Sequence, residues 1–113
     1  MATQVIGPWR LDMRVWIGPQ GLPPGQHFYF WIGIGDNVGG AISVTPIPWT
    51  RLPGSNYQHR QQHMLVHSVN IASVPFVGPV GGSESHTQVH ATYQNCGQNP
   101  IEGFSIYISI DSP

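Results

Sequence analysis

Apolar and polar side chains alternate along four segments of this chain, and this period of two most restricts what the chain can fold into. The alternation covers residues 9–17, 27–34, 86–94 and 103–110. Successive side chains of a β-strand point to opposite faces of the sheet, so each segment is predicted to be a strand with one buried face. The residues predicted to face the core are Trp9, Leu11, Met13, Val15, Ile17, Phe28, Phe30, Ile32, Ile34, Val89, Ala91, Tyr93, Phe104, Ile106, Ile108 and Ile110.

The segments between these four complete an all-β prediction. Residues 41–47 form a further short strand, which Pro46 and Pro48 place at a sheet edge or terminate. Residues 58–74 are predicted to hold one or two strands, with a bulge near Met64 or Leu65. The Gly/Pro-rich stretches 18–25, 35–40 and 75–85 are predicted to be turns and loops, with a hairpin at 35–40. No segment has a helical period.

The expected architecture is a single antiparallel β-sandwich, or a small barrel, of about six to eight short strands joined by Gly/Pro-rich loops. A chain of 113 residues has the length of one domain, so residues 1–113 are predicted to form a single β domain.

Charge composition excludes several classes of partner. Charged residues make up 8% of the chain, there is no lysine, and the formal net charge is -1. A nucleic-acid-binding protein needs a basic patch to neutralise phosphates, and this composition does not supply one. Attachment to anionic lipid through a polybasic segment is excluded for the same reason. A weakly charged surface favours association, so we expect a homo-oligomer.

The same sequence predicts where the protein is found. No apolar run approaches the length of a membrane-spanning helix, so no membrane insertion is expected. The N-terminal residues lack the basic and apolar regions of a signal peptide. We therefore expect a cytoplasmic protein, or one released without a cleaved signal peptide.

Six histidines raise the question of a metal site, because imidazole is the commonest protein metal ligand. Histidines four residues apart on one strand are separated by about 13 Å, which is too far for both to bind one zinc ion. Ligation across neighbouring strands or around an oligomer axis is compatible with this spacing. The alternative is that these side chains are simply polar residues on the outward face of a strand. The candidate metal ligands are His63, His67, His86 and His90.

No catalytic arrangement is evident in the sequence. Cys96 lies in a predicted turn and matches no local signature of a catalytic cysteine. The five acidic residues are dispersed along the chain, so nothing local supports a paired-carboxylate site. We therefore expect a protein that is not an enzyme and that uses no cofactor.

Aromatic residues are in surplus on the faces predicted to point outward. Trp16, Tyr29, Trp31 and Tyr107 alternate with the apolar core positions, and Trp49 and Tyr57 flank a Pro-containing loop. An aromatic ring can stack on the apolar face of a sugar while nearby polar groups bind its hydroxyls. The same rings could instead be buried in a subunit interface, where aromatics are also enriched. The predicted ligand-binding residues are Trp31, Asp36, Asn37, Trp49, Tyr57 and His59.

These observations support three functional hypotheses. The first is a non-catalytic, lectin-like protein that binds a glycan or other small polar ligand and gains avidity through homo-oligomerisation. The second is a self-assembling structural protein, such as a virion, sheath or filament subunit. The third is a metal-dependent protein that uses the clustered histidines.

Overall fold

Six strands and one helical turn make up the part of the chain that the computed structural model describes, which is residues 2–36, 38–49, 62–77 and 83–112. Their bounds in chain order are β1 Ala2–Asp12, α1 Met13–Trp16, β2 His27–Asp36, β3 Ala41–Trp49, β4 Met64–Val77, β5 Ser83–Asn95 and β6 Gly103–Ser112.

The strands form two antiparallel three-stranded sheets that pack together. The first sheet has the order β1-β6-β3 and the second has the order β2-β5-β4. Strand β1 pairs with β6 and strand β2 pairs with β5, so one antiparallel ribbon folds over and contributes to both sheets. This connectivity resembles that of double-sheet jelly rolls, with six strands instead of eight. The predicted all-β sandwich is confirmed.

The core lies between the two sheets and is built from the predicted inward faces. Strand β6 contributes Phe104, Ile106 and Ile108, all fully buried. Strand β5 contributes Tyr93, whose ring centroid lies 5.1 Å from that of Phe104. Burial raises the pKa of Tyr93 to about 12, because the ionised phenolate would be poorly solvated there. The buried apolar residues are Leu11, Met13, Leu22, Ile32, Val89, Ala91, Tyr93, Ile101, Phe104, Ile106, Ile108 and Ile110.

The predicted strand over residues 9–17 is wrong in its second half. Strand β1 ends at Asp12, and the next four residues form α1. The Asp12 carboxylate accepts a hydrogen bond from the backbone N–H of Arg14. It also forms an ion pair with the Arg14 guanidinium, whose Nε and Nη2 donate to its two oxygens. This cap turns the chain, because Asp side chains compete for nearby backbone N–H groups. As a result Val15 and Ile17 are exposed instead of buried.

The predicted hairpin at 35–40 is also wrong. Strands β2 and β3 belong to different sheets, so the chain passes from one layer to the other between Asp36 and Ala41 instead of joining two paired strands. The irregularity in β4 lies between His67 and Asn70, further along than predicted, where Ser68 has a φ of 52°. The predicted loop at 75–85 is shorter than expected, since β4 continues to Val77 and β5 begins at Ser83.

Candidate functional site

The outward face of β2 carries three ring-bearing residues in a row. His27, Tyr29 and Trp31 alternate with Phe28 and Phe30, which pack against the core. Tyr29 is 55% exposed and Trp31 is 50% exposed. Strand β2 is therefore aromatic on both faces, and one of those faces is available to solvent.

A fourth ring reaches this region from α1. Trp16 makes edge-to-face contacts with Phe28 at 5.9 Å and with Phe30 at 5.7 Å between ring centroids. It remains 55% exposed, so the contact covers part of the ring only. The Asp12 cap determines this position, because a continued strand would direct the residue 16 side chain along β1 instead.

These rings enclose an open depression of about 430 Å³. Its lining consists of Trp16, Tyr29, Phe30 and Trp31. Phe30 faces the core whereas Tyr29 and Trp31 face outward, so side chains from both faces of β2 reach the depression. That arrangement is possible only at the side edge of a strand. The four described lining residues are all aromatic, and none of them is charged.

A hydrogen-bonded polar group supports the outward rings. The His90 ring stacks against Trp31, with ring centroids 5.9 Å apart and planes inclined by 19°. Its Nε2 lies 2.9 Å from Gln88 Oε1, which can only accept, so Nε2 carries the proton in the neutral ring. The Tyr29 hydroxyl then donates to His90 Nδ1. His90 therefore holds both aromatic side chains in defined positions.

A second polar group lies beside the first on the same face. His67 Nε2 donates to Gln94 Oε1 at 2.7 Å, and the Gln94 amide donates to the Gly25 carbonyl at 3.3 Å. The His27 and His67 rings approach to 5.5 Å between centroids. Histidine, glutamine and tyrosine side chains thus supply hydrogen-bond donors and acceptors next to the aromatic rings.

The predicted ligand-binding residues do not all come together. Trp49 lies on the outward face of the first sheet, whereas Trp31 lies on the outward face of the second, so the two rings are on opposite sides of the sandwich. Trp49 packs over Gly103, and the Arg10 guanidinium carbon lies 5.0 Å above its ring. A shared site for Trp31 and Trp49 is therefore ruled out within one subunit.

The other predicted ligand-binding residues add little to the geometry. Asp36 is the last residue of β2, where its backbone lies opposite His86, five residues beyond Trp31. Asn37, Tyr57 and His59 lie outside the described residues.

The candidate metal ligands are spread over the second sheet. His67 and His90 bind separate glutamines on its outward face, and His86 is exposed near the end of β2. His63 precedes β4, where its carbonyl accepts a hydrogen bond from the Cys96 N–H. Within the described ranges, no three His, Cys, Asp or Glu residues are grouped closely enough to hold a metal ion.

Sequence reasoning did not identify the full depression. Trp16 and Tyr29 were predicted to point outward, but they were not assigned to the binding site with Trp31. Phe30 was assigned to the core. The cross-strand partner His90 was considered as a metal ligand or as a polar residue on the outward face, and not as part of the binding site. The missing information is strand pairing, which places β5 beside β2 and α1 beside the edge of β2.

Comparison of this chain with protein-family models, curated proteins and solved structures finds no match. No helix in the described ranges has the length and apolar character needed to cross a membrane.

Proposed function

We propose that this protein is a non-catalytic carbohydrate-binding protein of lectin type, whose ligand stacks on the rings around Trp31. The observation that carries the proposal is the depression of about 430 Å³ whose described lining residues, Trp16, Tyr29, Phe30 and Trp31, are all aromatic. Its size is within the range of small-molecule sites, which combine apolar walls with a few placed polar groups.

The chemistry of the lining favours a sugar over other small ligands. Pyranose rings present an apolar face of C–H groups and a rim of hydroxyls. Half-exposed indole rings match the apolar face, and the amide of Gln88 beside His90 offers donors to the hydroxyls. An anionic ligand would find no cation among the described lining residues, so neutral glycans fit them best.

Isothermal titration against a panel of neutral mono- and oligosaccharides tests this proposal. We expect binding in the micromolar to millimolar range for at least one neutral glycan. Trp31→Ala and Trp16→Ala should each weaken it by about tenfold or more, the equivalent of about 1.4 kcal/mol. The matched control is Val5→Ala, which removes a 60% exposed apolar side chain from the outward face of the other sheet. Absence of binding throughout the panel would contradict the proposal.

A second candidate is a self-assembling structural subunit, favoured by the exposed apolar side chains at β2 and the 8% charge content. Electron microscopy and light scattering separate the two functions. An extended assembly supports the structural role, and a small closed oligomer supports the lectin.

A further inference from the structure

Within the described part of the chain, β2 is an edge strand, and its residues 27–33 lack the sequence features that protect edges from pairing. Protective features include proline, charged side chains and bulges. Among the four edge strands of the two sheets, β1 is interrupted between Ile6 and Trp9 and β4 between His67 and Asn70. Strand β3 contains two prolines. Residues 27–33 of β2 contain no proline, no Asp, Glu, Lys or Arg, and no break in register.

Hydrogen bonds at the start of β2 show which backbone groups face its free edge. The Asn95 N–H donates to the Gln26 carbonyl at 3.1 Å, and the Asn95 carbonyl accepts from Gly25 at 2.7 Å. In antiparallel pairs, residues alternate between facing the partner strand and facing away from it. The even-numbered residues of β2 therefore bond to β5. Those whose N–H and C=O groups face the free edge are His27, Tyr29, Trp31 and Gly33.

The pairing of β5 with β4 gives a consistent result. The Cys96 N–H donates to the His63 carbonyl at 3.0 Å, so even-numbered residues of β5 face β4. The two observations agree, and together they place the free donors and acceptors of β2 on the residues whose side chains form the outward aromatic row.

We propose that a second copy of this chain pairs with this edge, β2 against β2, antiparallel about a twofold axis. An antiparallel edge is self-complementary, because each residue offers one donor and one acceptor and meets a residue that does the same. The partner also brings no charge of its own to repel residues 27–33.

The extent of the free edge selects the register. Regular pairing runs from His27 to the register shift that follows Gly33. Antiparallel pairing of this whole stretch with itself centres the axis on Phe30. Tyr29 then lies opposite Trp31 of the partner subunit, and His27 lies opposite Gly33 of the partner subunit. The pairing forms about eight backbone hydrogen bonds and joins the two second sheets into one continuous sheet.

The pairing also adds the partner strand to the wall of the depression. Because the lining spans both faces of β2 at the edge, an added strand would lie beside Phe30 and leave the outward side on which the glycan is proposed to stack open. The outward sides of Tyr29 and Trp31 would stay on the shared outer face, adjacent to the same rings of the partner. The inference does not rest on the glycan proposal, because it follows from the backbone pattern of β2.

Proline at position 31 tests the edge directly. The Trp31 N–H faces away from β5, so Trp31→Pro removes a donor from the free edge and none from the ladder within the subunit. Trp31→Ala is the matched control, since it removes the same ring and keeps the N–H. Circular dichroism checks that each variant retains its β-structure, and sedimentation equilibrium measures its mass at high micromolar concentration.

The expected masses are twice the 12.4 kDa chain mass for the unmodified protein and Trp31→Ala, and 12.4 kDa for Trp31→Pro. Should Trp31→Pro not fold, Trp31→Lys provides the same test by placing a charge at the edge, and it should be monomeric. A monomeric unmodified protein would overturn the proposal. So would dimers that persist in Trp31→Pro or, if that variant does not fold, in Trp31→Lys, or the loss of dimers in Trp31→Ala. Glycan titration of the same variants is read separately, because Trp31→Ala should lose sugar binding while it remains dimeric.

Discussion

Trp31 and Trp49 are both outward-facing tryptophans on edge strands, yet their surroundings differ. Trp49 lies opposite Gly103 in the first sheet, and its ring covers that glycine beneath the Arg10 guanidinium. Trp31 lies opposite His90 in the second sheet and stacks beside the imidazole, with half of its surface exposed. The first ring is a packing element, and the second is available to a ligand or a partner.

The cross-strand neighbour explains this difference. A glycine leaves a gap that a large ring on the next strand can fill, so the ring covers the glycine and is partly shielded from solvent. A histidine fills the equivalent space itself, so the neighbouring ring stands beside it. An outward aromatic residue is thus a candidate binding residue only when its neighbour does not offer it a pocket.

The largest expected effect comes from filling the gap beneath Trp49. A Cβ at position 103 would lie 2.3 Å from the Trp49 ring and 2.8 Å from the Leu11 carbonyl oxygen. We expect Gly103→Ala to lower the free energy of unfolding by about 3 kcal/mol, at the upper end of overpacking costs. Urea unfolding measures the change.

Gly33→Ala is the control for that substitution. Gly33 is on the outward face of the second sheet, and an added Cβ would meet nothing within 4 Å. Its effect should be within about 0.5 kcal/mol. Equal effects at positions 33 and 103 would contradict the difference between the two faces.

Removing the tryptophans themselves should give the next largest effect. We expect Trp49→Ala to destabilise the fold by about 2 kcal/mol, less than a fully buried ring because Trp49 is half-buried. Trp31→Ala should cost less than about 1 kcal/mol, the size of one exposed stacking contact. Thermal unfolding of the two variants compares them, and a greater loss in Trp31→Ala would reverse the assignment of roles.

Loss of the cap between β1 and α1 should have a smaller effect. Asp12→Ala removes the hydrogen bond to the Arg14 N–H and the adjacent ion pair, and should cost about 1 kcal/mol. Asp12→Asn keeps a capping oxygen and serves as the control, which should retain most of the stability. Because the cap positions Trp16, glycan affinity should fall in Asp12→Ala as well. Unchanged affinity would show that Trp16 does not need this turn.

The pH dependence of the free energy of unfolding arises in the core between the two sheets. It is the smallest of the expected effects at neutral pH. The pKa of Tyr93 is about 12 in the folded protein and about 10 when the chain is unfolded. The raised pKa leaves stability unaffected below pH 10 and lowers it as the pH rises from about 10 to 12, since only the unfolded chain then loses the proton. Denaturation midpoints measured across this interval should decline less in Tyr93→Phe than in the unmodified protein. An equal decline would argue against a buried phenol.

The period-two pattern correctly predicted the faces of β2 and β5, where burial alternates over residues 27–35 and 86–95. In β6 it correctly placed Phe104, Ile106, Ile108 and Ile110 in the core, although Ser105 between them is buried as well. It failed after Asp12, where the hydrogen bond from the Arg14 N–H to the Asp12 side chain turns the chain although the pattern continues for five further residues. The alternation predicts which side chains share a face of the sheet, but it carries no information about local helix caps.

The alternation also does not predict which strands pair with each other. A Gly-rich segment such as 35–40 looks the same whether it joins two strands of one sheet or carries the chain to the other sheet. For that reason Trp31 and Trp49 were assigned to one predicted site, although they lie on opposite sides of the sandwich. The outward aromatic row was predictable, and its completion by Trp16 and His90 was not.

The assignment of the binding face is tested most directly by the indole N–H signals of the protein in solution. The chain has four tryptophans, at positions 9, 16, 31 and 49, so each indole gives one resolvable signal in a two-dimensional ¹H–¹⁵N spectrum. During titration with a neutral oligosaccharide selected by calorimetry, the signals of Trp16 and Trp31 should shift while those of Trp9 and Trp49 stay in place. A shift of the Trp49 signal alone, or no shift of the Trp16, Trp31 and Trp49 signals, would contradict the account.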